Sequence, residues 1–278
     1  MLQLKFSFSE ELLSLVLNSD VKSIFLLGGS DTGKTSLIEA LSEILIGNYL
    51  VGVVDCDMGQ SHIGPPATVG WAKVKGEFSG WEELKLEDFY FVGSLSPSAN
   101  TQRTLEGVKF IFNRAKEKTE KIILDTTGYI QGFEAIDFKI RKIELVQPDL
   151  IIALQREDEL EVILKNFRDK QIFRMSVPLE AKSKSQAERV TYRDRSFKRY
   201  FSQDPKEFIF SEEIFRRLNE EDLDITDRIV SLQDDEERDL ALGKILEKKN
   251  TGILVLTPLN DTKRVHKIII GLCKWQTT

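Results

Sequence analysis

Gly28-Gly29-Ser30-Asp31-Thr32-Gly33-Lys34-Thr35-Ser36 is the stretch from which the fold can be read. It fits the spacing G-x-x-x-x-G-K-[ST] of a P-loop. Glycines there let the main chain curl so that successive N–H groups point at phosphate oxygens, and the helix that follows adds the positive end of its dipole. In that pattern residues Gly28 to Ser36 cradle a nucleoside triphosphate, Lys34 reaches the β- and γ-phosphates, and Thr35 offers its hydroxyl to Mg²⁺. The flanks agree. Ser23–Leu27 is a short apolar run, and Leu37, Ile38, Leu41, Ile44 and Leu45 recur at helical spacing.

Outward from the loop the pattern repeats. Leu50–Val54, Lys121–Leu124 and Leu150–Leu154 are short continuous apolar runs of the kind buried on both faces of a parallel sheet. Thr104–Lys118 and Phe133–Val146, the second stopped by Pro148, are the expected crossover helices. Strand and helix in alternation predict an α/β P-loop NTPase domain with a mostly parallel, doubly wound sheet. The expected limits are a short segment at 1–20, that domain at 21–205, and a small β-rich domain at 206–278. The last rests on Arg228–Leu232, Leu240–Leu246, Gly252–Leu256 and Val265–Leu272, separated by turn signals.

Composition narrows the class. The 278 residues carry 39 basic and 45 acidic side chains, a formal charge of −6, which excludes a generic polycation. No apolar run approaches the ~20 residues that span a bilayer, and the two cysteines, Cys56 and Cys273, cannot build a disulfide framework or a four-ligand zinc site. A soluble, cytoplasmic protein without membrane contact is expected. Charge is nevertheless uneven. Lys182–Arg199 has a local net charge of about +5, and Ser211–Asp239 one of about −8. The acidic run around 220–239 reads as a solvated surface or linker, and the basic one as a feature able to meet a polyanion.

Two further motifs carry chemistry. Asp55-Cys56-Asp57-Met58-Gly59-Gln60-Ser61 follows a strand, so its carboxylates fall at the ligand end of a parallel sheet. One could hold metal and the other accept a hydroxyl proton. Ile123-Leu124-Asp125 closes an apolar strand with an acid, the Walker B pattern that organises Mg²⁺. Arg103, after a strand ending Phe91-Val92-Gly93, stands where a substrate-facing loop would lie. His62, His266, Cys56, Trp71, Trp81 and Trp275 read as structural.

The ordered set Gly28–Ser36, Asp55–Ser61 continuing to Gly64-Pro65-Pro66, Thr126-Thr127-Gly128-Tyr129-Ile130-Gln131-Gly132, and the arginine-rich stretch ending Arg199-Tyr200-Phe201 resembles the polynucleotide 5′-hydroxyl kinases. These are RNA kinases of tRNA splicing, mRNA 3′-end formation and ribosomal RNA processing, with prokaryotic relatives. The resemblance runs from about residue 22 to 202. It implies transfer of the γ-phosphate of ATP to the 5′-OH of RNA, or of DNA, single-stranded or duplex, with ATP and Mg²⁺ as cofactors. It implies Lys34 and Asp57 as catalytic, Asp57 as the base, with Thr35, Asp125 and Asp55 on the metal side. Gln60, Thr127, Gly128 and Tyr129 would hold the acceptor, and some of Arg189, Arg193, Arg195 and Arg199 would be the arginines of a lid over 182–200. Arg195 and Arg199 are taken as catalytic and Arg189 and Arg193 as acceptor-binding, although spacing does not separate them. Arg103 joins the acceptor side by its position after a strand and not by the resemblance. Tyr129 stands where the family often has Trp, and Gln131 where it often has Lys. The N-terminal β-domain of longer relatives is expected to be missing. The alternatives are a P-loop ATPase or GTPase switch, or an ATP-binding scaffold of an RNA-processing complex. A guanine reader would need Asn/Thr-Lys-x-Asp after a strand, where this chain has Gln155-Arg156-Glu157-Asp158.

Overall fold

A computed structural model describes residues 6, 8–76, 78, 80–219 and 224–276. After helix α1 (Glu10–Leu17), whose first turn is capped by Ser9, the chain enters β1 (Ser23–Gly28), and the P-loop carries it into α2 (Lys34–Leu45). It continues through β2 (Val51–Cys56), β3 (Thr68–Val74), β4 (Leu86–Phe91), α3 (Thr101–Lys116) and β5 (Lys121–Thr126). Next come α4 (Phe133–Val146), β6 (Leu150–Gln155), the short α5 (Glu161–Leu164) and β7 (Gln171–Ser176). These strands form one sheet in the order β4-β3-β2-β5-β1-β6-β7. The five from β2 to β7 are parallel, and β3 and β4 extend the edge antiparallel.

The expected strands and helices are found with ends shifted by a few residues. Every residue of β1, β2 and β5 is buried. Such strands must be covered on both faces, and two apolar clusters do this. One lies beneath α3, α4 and α5 with Phe25, Leu27, Val108 and Ile143. The other lies beneath α1 and α2 with Leu12, Leu26, Leu41 and Ile152. α4 ends with Gln147 in the left-handed region just before Pro148, which cannot continue a helix. The β3–β4 hairpin begins with an unanticipated strand: β3 holds Trp71, fully buried and so structural as expected.

Helix α6 (Gln186–Phe201) begins with a reciprocal capping box between Ser185 and Glu188. Beyond it lie β8 (Lys206–Phe210), β9 (Phe215–Arg217), β10 (Arg228–Gln233), β11 (Asp239–Lys249), β12 (Gly252–Thr257) and β13 (Lys267–Lys274). They make a second sheet, β8-β12-β11-β10-β13-β9, antiparallel except for the β13–β9 pair. The acidic run is not a linker. It contains β10, and its carboxylates are tied into the sheet: Asp227 to Lys244, Asp234 to Arg238 and Arg264, and Asp239 to Ser231 and Gln233. Residues 220–223 of that run lie outside the described residues. No described helix is long and apolar enough to cross a membrane.

Candidate active site

The P-loop leaves β1 and turns into α2 through Gly33, whose φ of 91° suits a residue without a Cβ. Thr32 Oγ1 donates to the Gly29 carbonyl at 3.1 Å and braces the turn. Lys34 is buried, and its Nζ donates to the carbonyls of Gly28 (3.1 Å) and Gly29 (2.6 Å). Burial holds its pKa below the usual lysine range, against the opposing pull of Asp125, Asp57 and Asp31. Thr35 and Ser36, half-buried, open α2 beside it.

Asp55 and Asp125 are paired neighbours at the ends of adjacent parallel strands. Burial raises the pKa of both carboxyls, and each feels the other acids of the site. Asp125 Oδ1 accepts from the Thr126 amide at 2.8 Å. Asp55 is engaged differently from the metal-side expectation. Its Oδ2 accepts from Ser61 Oγ (3.1 Å), His62 N (2.6 Å) and Ile63 N (3.0 Å), and its Oδ1 accepts from Asp57 N (2.9 Å). Four protein donors meet that carboxylate and fold the 57–63 loop around it. Asp57 is the product of that folding. Its Oδ1 is fixed by the amides of Gly59 and Gln60, both at 3.1 Å, and no donor among the described residues holds Oδ2. Its charge is felt by Lys34, Asp125, His62, Lys139, Tyr192 and Arg193, and the residue is half-buried and not sealed in the core.

Thr126–Tyr129 closes the next side. Gly128 lies so near the P-loop that a Cβ on it would sit 2.2 Å from Ser30 Oγ, so only glycine fits. Thr127 is buried, and the half-buried Tyr129 has its ring 6.3 Å from that of Phe138. The lid helix α6 closes the remaining side. Arg189 pairs with Asp31, which also accepts from the Lys184 amide at 3.1 Å. Gln60 Nε2 donates to the Arg189 carbonyl (3.1 Å), and Tyr192 hydroxyl donates to the Ser61 carbonyl (3.0 Å). Arg193, half-buried, feels the charges of Arg189 and Asp57.

Not every expected residue comes to this place. Arg195 is exposed on another flank of α6, and Arg199 reaches Glu82 at 3.3 Å on the surface, although its charge is still felt by His62 and Tyr192. The structure thus ties Arg189 to Asp31 of the P-loop and leaves Arg193 within electrostatic reach of Asp57, among four arginines that sequence spacing does not tell apart. Arg103 is also elsewhere. Its Nε donates to the Phe91 carbonyl at 2.8 Å, its guanidinium lies 4.9 Å from the Tyr90 ring centroid, and its charge is felt by Asp239 of the second sheet.

The segment that builds this site, from the P-loop to the end of α6, coincides with a known protein family. The description "mRNA cleavage and polyadenylation factor CLP1 P-loop" matches residues 28–203. The chain belongs to this CLP1 P-loop family. A polyribonucleotide 5′-hydroxyl-kinase of Methanocaldococcus jannaschii is 43% identical over 180 residues, covering 64% of this chain and 50% of the relative. One from Pyrococcus furiosus is 40% identical over 179 residues, with the same coverage of each. The chain thus spans about half the length of the curated relatives it matches. Among solved structures, one of a Clp1p–Pcf11p complex superposes with a TM-score of 0.76 at 14% identity over 95% of this chain and 77% of that one, a likeness of fold.

Two residues of this CLP1-family site escaped sequence reading. Tyr192, inside the basic stretch, looks like filler between arginines. Lys139 is fully buried on α4, and its Nζ donates to Thr126 Oγ1 (3.0 Å), the Thr127 carbonyl and Thr127 Oγ1 (3.4 Å). A signal for Lys139 did exist, since it falls on the apolar stripe of α4 with Ala135, Phe138, Ile143 and Val146. A lysine there needs acceptors.

Proposed function

We propose that the protein is an ATP-dependent polynucleotide 5′-hydroxyl kinase, acting on the 5′-OH ends of RNA and, as a second acceptor, DNA. The observation that carries this reading is Asp57: one oxygen pinned by two amides, the other without a donor among the described residues, its charge felt by the lysine of a phosphate cradle.

The amides of 29–35 bind the triphosphate, and Lys34 exchanges its two carbonyls for phosphate oxygens. Thr35 and Asp125 suit Mg²⁺, a hard ion bound by few protein oxygens and completed by phosphate and water. When bound, it supplies charge neutralisation on the β- and γ-oxygens. Asp57 takes the proton of the 5′-hydroxyl as that oxygen attacks the γ-phosphorus in line, and ADP departs. Thr127, Gly128 and Tyr129 grip the acceptor end, with Tyr129 offering a stacking face. Arg189 and Arg193 neutralise charge that spreads over the equatorial oxygens. Cys56 and Cys273, both buried free thiols, suit a reducing, cytoplasmic compartment.

The test is transfer of labelled phosphate from ATP to matched 5′-hydroxyl RNA and DNA oligomers, single-stranded and duplex. Asp57→Asn should lower transfer by about 10²–10⁴-fold while ATP still binds, and Lys34→Ala should abolish it. A fully active Asp57→Asn enzyme overturns the base assignment. Hydrolysis of ATP with no transfer to any oligomer would identify a switch instead.

A further inference from the structure

Helix α6 carries the lid arginines, yet it has almost no apolar seat of its own. Among its sixteen residues only Ser196, Phe197 and Phe201 are buried. Both phenylalanines stack on one residue of the C-terminal sheet region. The Trp275 ring lies 5.3 Å from that of Phe201 at an interplanar angle of 11°, and 5.5 Å from that of Phe197 at 29°. Trp275 Nε1 donates to Asp194 Oδ1 at 2.9 Å, and one turn and a half further on the Tyr200 hydroxyl accepts from the Leu242 amide at 2.8 Å. Trp275 is itself fixed, since its amide donates to the Asp227 carbonyl at 2.8 Å. At about 100° per residue, Asp194, Phe197 and Phe201 form one stripe of the helix, while Arg189, Arg193 and Ser196 form another roughly a quarter-turn away. The first stripe therefore sets the rotation at which the second meets Asp31 and Asp57.

We propose that the C-terminal β-domain is the mount of the lid, with Trp275 as the positioning residue that holds Arg189 and Arg193 over the phosphates. This rests on the kinase reading for its catalytic consequence, although the mount itself does not depend on it. A polar helix docked only by Arg189–Asp31 and by hydrogen bonds to the 57–63 loop would lose its orientation whenever those contacts exchange for substrate. The aromatic stack supplies a fixed point that substrate does not touch.

Trp275→Ala, with Asp194→Ala as a milder variant that leaves the stack intact, tests this by two routes. Amide exchange across 186–201 should quicken in Trp275→Ala while β1 and α2 keep their protection. ATP, which should slow exchange of α6 in the parent protein, should no longer do so although it still binds. In the transfer assay kcat should fall by about 10–10²-fold in Trp275→Ala and less in Asp194→Ala, with the KM for ATP within about threefold of the parent. Arg189→Ala should remove far less from the Trp275→Ala protein than from the parent, because the arginine there is already misplaced. Unchanged exchange of α6, or losses from the two substitutions that multiply in full, would overturn the proposal. If the parent protein transfers no phosphate while the exchange results hold, the kinase reading fails and the mount stands.

Discussion

His62 follows the loop that presents Asp57, and its ring lies between Trp81 and Tyr192, with centroids 4.9 and 5.4 Å away. Its Nδ1 is shut off from solvent with no partner among the described residues. Burial first, and then Lys184, push its pKa down to about 4. The sign of the consequence follows. Between about pH 6.5 and 4 the unfolded chain takes up a proton that the folded one refuses, so stability is whole above that window and falls as pH drops through it. At about pH 5 this one ring should remove ~2 kcal/mol relative to pH 7.5. His62→Phe keeps the aromatic sandwich without the proton. Urea titrations of both proteins at the two pH values should therefore show the parent losing ~2 kcal/mol more than the variant. Equal losses would mean that His62 protonates in place. At this scale the sequence tells residue types better than their partners. Asp55 and Asp57 are equivalent acids on paper, two apart at a strand end. Only the folding of 61–63 back onto Asp55 separates a carboxylate enclosed by its own loop from Asp57, the one proposed as the base.

Two lysines one turn apart on α4 show how an element's buried face can carry opposite energetics. Lys139 satisfies three acceptors of the Thr126–Thr127 strand end, whereas the equally buried Lys142 finds no hydrogen-bond acceptor among the described residues and sits 4.6 Å from the Phe138 ring centroid. Burial lowers the pKa of both. Lys139→Met should destabilise by about 1–3 kcal/mol, since it strands those acceptors, and should raise the KM for the oligonucleotide more than that for ATP. Lys142→Met removes an unpaired ammonium and fills the space with apolar volume, so its melting temperature should rise by a few degrees. Melts of the two variants that move in the same direction would refute the distinction. The elements around the P-loop were legible because their burial on both faces forces continuous apolar runs. The lid was legible only as a charge excess. Which arginines face inward depends on where Phe197 and Phe201 find their seat, and that seat lies about 75 residues further along the chain. For the same reason β7, β8 and β9, at sheet edges and half-exposed, left little pattern to read.

The two sheets are joined as one body. Ala67, Phe89 and Phe91 of the first meet Ile229, Leu242, Ile269 and Trp275 of the second in a shared apolar cluster with Phe197 and Phe201 between them. One half-buried carboxylate reinforces this junction. Asp239 accepts from the Phe91 amide at 2.7 Å across the boundary, and from Ser231 and Gln233 within its own sheet. Burial raises the Asp239 pKa, a strain tolerated because three donors converge on it. Further along, the Leu272 amide donates to the Gly93 carbonyl at 2.7 Å. Such a junction leaves neither sheet able to lose its partner without exposing apolar surface, so the described fold should melt in one cooperative step. Trp71 lies in the first sheet's core and Trp275 in the junction. In a Trp81→Phe background, fluorescence of the Trp71→Phe and Trp275→Phe proteins can thus follow each region separately. Their unfolding curves, each compared with circular dichroism of the same variant, should coincide. Asp239→Ala strands three donors and should lower stability by ~3 kcal/mol, or about 6–10 °C in melting temperature. The remaining apolar contacts should still keep the transition single. An early, separate change in the junction signal of the Trp71→Phe protein would show instead that the C-terminal sheet is an independent unit. The lid's mount would then be free to swing.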